Sequence, residues 1–444
     1  MENILKSYNP SNGEIVGELE ITPIDKIDEI VENARIAQKS WKELSVDKRI
    51  QYIEKASQKV NTEIESLAIL LSKEMGKDYR RSYGEVNGSA QGAPYYARQV
   101  KEAIQTRKVS GGKIQYKPLG VVAVISPWNY PLAMATNLII PALVAGNTVV
   151  FKPSEETPLI AKAYVDILNQ YLPENVIQIV IGDSNQGKKL VDSNIHMVAF
   201  TGSQKAGKDI MKRASNSLKR LVMELGGNDP MIVLEDAHID SAARFAVASS
   251  FENAGQMCTS TERIYVHESI AERFEERVVQ FASHYTLGPW NQQNVNIGPI
   301  INEKQRSKII NHIEDAVSKG AKVLLGGKDH PEHYISPTVL TNIHSNMLME
   351  KEETFGPVVS ISKYDDLEEA IQKANDSEYG LGAVVYGAKE AQNVAEKLEA
   401  GMVAINGSVG AGGDAPWVGA KQSGFGYHGS IEGHRQFTQV KVIS

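Results

Sequence analysis

The sequence predicts an α/β protein in which helices pack on largely parallel sheets, and three observations carry that prediction. Gly120-Val-Val-Ala-Val-Ile125 is a continuous, β-branched run of the kind a strand buried on both faces requires. Such runs alternate with helical patterns roughly 10–15 residues long, which implies crossover connections between parallel strands. The same texture returns beyond Gly226-Gly227 and divides the chain into two α/β layers.

Taken in order, the opening residues carry Asn9-Pro10 and Asn12-Gly13 between short apolar stretches, the mark of a strand or hairpin lead-in. From Ile24 to about Val60, apolar residues (Ile27, Ile30, Val31, Ala34, Ala37) recur at helical spacing. A second helical stretch runs from Glu63 to Met75 and stops at Gly76-Lys77, and a third runs from about Gly84 to Ile104. Lys113 to Pro118 alternates like an exposed strand. After the buried strand 120–125, the expected order is strand 148–151, helix 160–171, strand 176–181, helix 188–191, strand 196–200, helix 205–217 and strand 221–223. The second half reads as strand 263–266, helices 270–285 and 303–319, strands 323–325 and 358–361, helix 367–374, strand 382–386, helix 390–398 and strand 403–405. The tail, 435–444, alternates like a strand that pairs elsewhere.

Composition narrows the function classes. The chain has 444 residues, 42% hydrophobic and 23% charged, the balance of a soluble globular protein. A single cysteine excludes an intrachain disulfide framework and a multi-thiolate zinc site. The net charge of −7 argues against a nucleic-acid footprint. No apolar run reaches the ~20 residues of a membrane span, and the N-terminus lacks a signal peptide's apolar core. The expectation is a cytoplasmic protein without a resident metal.

Several short strings stand out because local structure does not need them. Ser126-Pro-Trp-Asn-Tyr-Pro131 follows the buried strand, where open α/β sheets hold ligands. It reads as a Pro-rich turn or as a place where the Asn129 amide donates to a developing oxyanion. Phe151-Lys-Pro-Ser-Glu155 offers Lys152 and Glu155 as a solvated pair or as ligands for sugar hydroxyls or a phosphate. Phe200-Thr-Gly-Ser203 opens a strand-to-helix turn, where small residues let backbone N–H groups approach a phosphate. Gly424-Phe-Gly-Tyr-His-Gly429 matches the dinucleotide pattern G-x-G-x-x-G, but no convincing helix follows and the chain ends too soon for an acidic ribose ligand. Glu224-Leu-Gly-Gly-Asn228 follows a strand, and Gly255-Gln-Met-Cys258 places the lone thiol after a flexible stretch. A lone cysteine reads as an inert hydrophobe or as a nucleophile that needs room and a neighbouring base. His330-Pro-Glu-His333 has metal spacing but no third ligand and reads as an exposed turn.

Together the strings P-W-N-Y-P, K-P-S-E, F-T-G-S, E-L-G-G-N, G-Q-x-C, E-E-x-F-G-P (Glu352 to Pro357) and G-x-K-x-S-G (Gly419 to Gly424) resemble the NAD(P)-dependent aldehyde dehydrogenase superfamily over nearly the whole chain. The resemblance implies an aldehyde dehydrogenase-like fold: a Rossmann-like cofactor domain (1–99 and 119–225), an α/β catalytic domain (226–429) and a β oligomerisation flap (100–118 and 430–444). Family members are homodimers or homotetramers. The implied chemistry is oxidation of an aldehyde to a carboxylic acid through a cysteine thiohemiacetal and thioester. Cys258 would be the nucleophile, Glu224 the base that activates water, and Asn129, with the Cys258 backbone N–H, the oxyanion donor. The implied cofactor ligands are Trp128, Lys152, Glu155, Gly202, Ser203, Leu225, Glu353 and Phe355. Glu155 favours NAD, because a carboxylate accepts ribose hydroxyls and repels a 2′-phosphate; Lys152 and Ser154 leave NADP open.

Four positions depart from common family usage. Leu138 stands where many members have a lysine proposed in proton relay, Tyr427-His428 replaces a frequent Arg-Glu pair, Trp417-Val418 replaces Phe-Gly, and Glu252 occupies a substrate-tunnel position. Succinate-semialdehyde members place arginines in that tunnel, whereas 130–144 here contains no Arg or Lys. A pocket of Tyr130, Met134, Asn137, Glu252, Met257, Thr259 and Trp417 would therefore favour a small hydroxy- or amino-aldehyde. The alternatives are a succinate-semialdehyde-type enzyme, a CoA-acylating one, against which Glu224 speaks, and a catalytically silent member.

Overall fold

The computed structural model describes residues 3–410 and 414–444. Two sheets organise it. The first has six strands in the order Gly424–Phe425, Arg220–Glu224, Met197–Thr201, Val121–Ile125, Thr148–Lys152, Ile177–Ile179, and only Gly424–Phe425 runs antiparallel. The second has seven, in the order Lys322–Leu325, Thr338–Thr341, Val358–Tyr364, Thr261–His267, Asp229–Val233, Gly382–Tyr386, Met402–Ile405. Its antiparallel member is Lys322–Leu325.

The apolar runs explain both sheets. On the first, Val122, Val124, Val149, Phe151 and Ala199 enter one core, while Val121, Ala123, Ile125, Val150, Val198 and Phe200 enter another. Alternate side chains point to opposite faces of a strand, so the unbroken apolar runs reflect a sheet with a helical layer on each side. The second sheet repeats this: Met231, Val233, Ile264 and Val266 face one core, and Ile232 and Tyr265 the other.

Most predicted elements are present, with shifted ends. Ile4–Tyr8 and Ile15–Glu20 form an antiparallel hairpin. The single helical stretch read over 24–60 is two helices, Ile27–Trp41 and Val46–Thr62, because Ser45 caps the second by accepting from the Lys48 N–H at 3.2 Å. The third helix starts earlier, at Tyr79, where Asp78 supplies the cap. The tail does pair elsewhere: Thr438–Ile443 joins Gly112–Pro118 and Arg107–Val109 in a three-stranded antiparallel sheet. Two long helices had no visible signal, Pro131–Val144 and Ile239–Phe251, nor did the short ones Leu348–Lys351 and Ser430–Arg435. The G-x-G-x-x-G match lies on Gly424–Phe425, an antiparallel edge strand; the helix that follows, Ser430–Arg435, has six residues. No helix among the described residues is long and apolar enough to cross a membrane.

In the first sheet the chain leaves Val121–Ile125 toward one edge and later returns to build the other edge from Met197–Thr201. Ligands in open α/β sheets bind at such a switch point, outside the carboxyl ends of the strands. All four motifs of the first half end their strands there: 126–131, 152–155, 201–203 and 224–228.

Candidate active site

The loop that carries Cys258 follows helix Ile239–Phe251. Asn253, Ala254 and Gly255 are all left-handed, at φ 51°, 58° and 73°. For the two non-glycine residues this costs on the order of 1–3 kcal/mol each, so the surroundings must hold them. They do. The Asn253 side chain donates to the carbonyls of Asn129 (3.3 Å) and Gln256 (3.2 Å). Buried Gln256 donates to the Asn253 carbonyl at 3.1 Å and accepts from the Ile301 N–H at 2.9 Å. At Gly255 a Cβ would lie 2.0 Å from the Gly356 carbonyl oxygen, so the loop needs glycine for space as well as for φ. The G-Q-M-C string is thus a loop that locks itself against the segment carrying Glu353 and Phe355, and it ends on Cys258.

Cys258 opens into a cavity of about 310 Å³ between the two sheets, lined also by Trp128, Asn129, Glu224, Glu353 and Phe355. Glu224 ends a strand of the first sheet, whereas Cys258 precedes a strand of the second. The two residues, 34 positions apart, meet at the sheets' junction. Both carboxylate oxygens of Glu224 are buried without a hydrogen-bond partner. Burial pushes this carboxyl up to about 7, and the groups facing it are the Cys258 thiol, Thr201, Glu353 and Trp417. The Cys258 thiol is pushed well above its ordinary range, first by burial and then by the Glu224 carboxylate. At neutral pH the thiol therefore carries its proton and faces a carboxyl able to take it. The Asn129 side-chain amide donates to the Gln256 carbonyl at 3.0 Å, which ties the Pro-Trp-Asn corner to the Cys258 loop.

Of the expected cofactor ligands, Trp128, Gly202, Ser203, Leu225, Glu353 and Phe355 line this same cavity. Ser203 caps helix Gln204–Ala214, turning that helix's N-terminus toward the carboxyl end of the sheet. Lys152 and Glu155 lie one strand over, paired at 3.1 Å, with Lys152 buried and the Glu155 side chain 44% exposed. Phe355 sits at φ 59°, edge-on to Trp128 with ring centroids 5.6 Å apart. Glu353 accepts from the Gly227 N–H at 3.1 Å, and burial raises its carboxyl to about 7.

Of the expected substrate residues, Tyr130, Met134, Met257 and Trp417 line the cavity with Cys258. Three do not. Thr259 is buried in the loop. Asn137 lies one turn beyond Met134, in a neighbouring cavity that it shares with Trp417 and His428. Glu252 turns away into a third cavity, where Arg81 Nε binds it at 2.9 Å; the Tyr130 hydroxyl donates to the same oxygen at 3.0 Å. Glu252 therefore lies outside the Cys258 cavity as a paired carboxylate, and its cation arrives from helix Tyr79–Ala103 rather than from residues 130–144. Leu138 is buried core, and His428 is buried, stacked on Trp417 and held neutral, at about 4.

Sequence reasoning missed Lys77, Arg81, Glu85, Glu262 and Gln305. Glu262 accepts the Phe355 N–H at 2.9 Å, and Gln305 donates to the Thr354 and Phe355 carbonyls. Together they hold the strained Phe355 in place. No local pattern marks such residues, because their partners are distant in sequence. His330 and His333 remain in a loop, and among the described residues no group of three or more His, Cys, Asp or Glu could hold a metal.

Comparison with known proteins agrees with this geometry. The model of the aldehyde dehydrogenase family matches residues 2–443. A probable NADP-dependent succinate-semialdehyde dehydrogenase of Sinorhizobium fredii is 36% identical, over 98% of this chain and 91% of its own. Among solved structures, an NADP-dependent enzyme of E. coli superposes with a TM-score of 0.96 at 34% identity, over 99% of this chain and 94% of its own. Lactaldehyde dehydrogenase from Escherichia coli superposes at 0.95 with 30% identity, over 100% of this chain and 96% of its own. With five of its seven motifs gathered at one cavity and nearly its whole length matched, the chain belongs to the aldehyde dehydrogenase family and is a nicotinamide-dependent aldehyde oxidoreductase.

Proposed function

We propose that the protein oxidises a small polar aldehyde to its carboxylic acid by hydrolytic thioester chemistry, with Cys258 as nucleophile, Glu224 as base and Asn129 as oxyanion donor. The observation that carries this reading is the convergence of the Cys258 thiol, the unpartnered Glu224 carboxylate and Asn129 in one cavity. Glu224 takes the thiol proton as sulfur attacks the carbonyl, and the Asn129 amide and the Cys258 N–H stabilise the oxyanion. A nicotinamide held beside Trp128, Glu353 and Phe355 would supply the hydride acceptor that lets the Cys258 adduct collapse to a thioester. Glu224, near 7, gives up the thiol proton to solvent and then, again a carboxylate, deprotonates the water that releases the acid. The donor set suits a dinucleotide: a helix N-terminus behind Ser203 for the pyrophosphate, Glu353 for ribose hydroxyls and the Phe355–Trp128 pair beside the ring.

The finer assignments follow from charge. Glu155 would meet a 2′-phosphate with a carboxylate, so NAD is the favoured cofactor; the NADP names of several relatives weigh the other way, and buried Lys152 is the cation such a phosphate would use. Arg81, bound to both Asp78 and Glu252, lies with them outside the Cys258 cavity, and the cavity's Tyr130, Met134, Met257 and Trp417 are uncharged, which suits an uncharged hydroxy-aldehyde. A second reading, a dicarboxylic semialdehyde, has one specific observation behind it: Arg81 stands behind Tyr130, a residue of the cavity wall, because both bind the same oxygen of Glu252. It is also the substrate class named for several relatives. A panel of glycolaldehyde, lactaldehyde, aminopropanal, propanal and succinate semialdehyde with each cofactor, followed at 340 nm, decides both. The proposal predicts higher kcat/KM for the hydroxy-aldehydes and for NAD. Preference for succinate semialdehyde or for NADP overturns that part, and absence of turnover with every aldehyde overturns the whole.

A further inference from the structure

Two buried charges beneath the cavity, Lys77 and Glu85, have no part in the chemistry described so far. Lys77 follows Gly76, which ends helix Ile64–Met75 in the left-handed region at φ 85°. Glu85 lies near the start of helix Tyr79–Ala103. Their side chains are 0% and 1% exposed and meet at 2.6 Å. A buried ion pair gives little net stability unless its remaining donors and acceptors are also satisfied. Here they are, and every further partner lies in the Asn129 corner. Lys77 Nζ donates to the Asn129 backbone carbonyl at 2.7 Å and lies 3.8 Å from the centre of the Tyr130 ring. Glu85 Oε1 accepts the N–H groups of Leu132 and Ala133 at 2.9 and 3.1 Å. Those amides belong to the first turn of helix Pro131–Val144, which no side chain of its own caps. A carboxylate from a neighbouring helix thus does the capping. The peptide after Asn129 is gripped by Lys77, the turn after it by Glu85, and Asn129 itself by the nucleophile loop through Asn253 and Gln256.

We propose that the Lys77–Glu85 pair is a positioning device for the reaction: it sets the Asn129 amide against Cys258 and so acts on the oxyanion through Asn129. The inference rests on reading Asn129 as the oxyanion donor. A donor of this kind works only at the place where charge develops; losing one costs about 100–1000-fold in rate, and a shift of ~1 Å costs about 100-fold. A pair that served the fold alone would act independently of Asn129.

The test is a double-mutant cycle. Lys77→Met and Glu85→Gln are made in the wild-type chain and in Asn129→Ala, and the single-turnover rate of NADH formation is measured with saturating propanal and NAD. Lys77→Met is expected to slow this step about 10–100-fold in the wild-type chain and less than about 3-fold in Asn129→Ala, since the device no longer has a donor to position. The KM for propanal should move less than about 3-fold, and Lys77→Arg, which keeps charge and donors, should recover most of the rate. If Lys77→Met does not fold, Glu85→Gln carries the test, because it keeps an oxygen for the two helix amides and removes only the anion. Equal fractional losses in both backgrounds, or no loss in either, overturn the inference and leave the roles of Cys258 and Glu224 standing. An Asn129→Ala enzyme as fast as wild type overturns the reading of Asn129 and the inference with it.

Discussion

Replacing Glu224 by Gln should shift the balance of stability toward the mutant as pH rises, with a sign and size fixed by the site. The carboxyl is fully buried, both oxygens lack partners, and its value is raised from the ordinary 4.5 to about 7. A raised native value means that the folded chain binds the proton more tightly than the unfolded one. The stability linked to that proton is complete below about 4.5 and is lost as pH climbs through about 7. The full loss is about 3 kcal/mol, most of it between pH 5 and pH 8. Glutamine has no proton to lose. Its own buried amide carries a penalty, but one that does not vary with pH. The stability difference between the mutant and the wild type should therefore grow by about 2–3 kcal/mol in the mutant's favour from pH 5 to pH 8. Urea unfolding of both proteins at the two pH values measures it. A difference that stays constant with pH would refute the reasoning, because it would mean that Glu224 titrates in the folded protein as it does in the unfolded chain.

Other predictions rest on single contacts. Gly255→Ala puts a Cβ against the Gly356 carbonyl oxygen at a φ of 73°, so the Cys258 loop must move; kcat/KM should fall about 100-fold while circular dichroism stays native, and unchanged kinetics would contradict the account of the loop. Arg81→Gln leaves Glu252 without its cation; kcat/KM for succinate semialdehyde should fall at least about 10-fold more than for propanal, and equal losses would show that Arg81 has no bearing on the tunnel's charge. Iodoacetamide should label one site per chain, Cys258, at a rate that still climbs above pH 8 because the thiol is raised; a plateau reached below neutral pH would show an activated thiolate instead.

The layers of the fold were legible because strands buried on both faces cannot hide their apolar runs, and the motifs were legible because they end such strands. Helix Pro131–Val144 was not, since eleven of its fourteen residues are buried and no polar face remains to show a period. Strand Asp229–Val233 begins with Asp-Pro, which reads as a turn. Most site residues carried by the family strings gathered at one cavity, Lys152 and Glu155 excepted, whereas Asn137, Glu252 and Thr259, inferred from neighbouring positions, fell outside it. Glu252 drew attention as an unopposed charge because its partner, Arg81, lies 171 positions earlier. Lys77 read as part of a helix stop, which it is; its bond to the Asn129 carbonyl, 52 positions on, exists only in the folded chain.

The central claim is that Cys258 carries the acyl group and Glu224 supplies the water that releases it. It is tested most directly by mixing Glu224→Gln with propanal and NAD and following NADH together with intact mass. The account predicts about one NADH per chain, formed more slowly than in the wild type because the thiol has lost its base, then arrest, with a propionyl group on the peptide that contains Cys258. Continued turnover at the wild-type rate, or NADH without an adduct on Cys258, would contradict it.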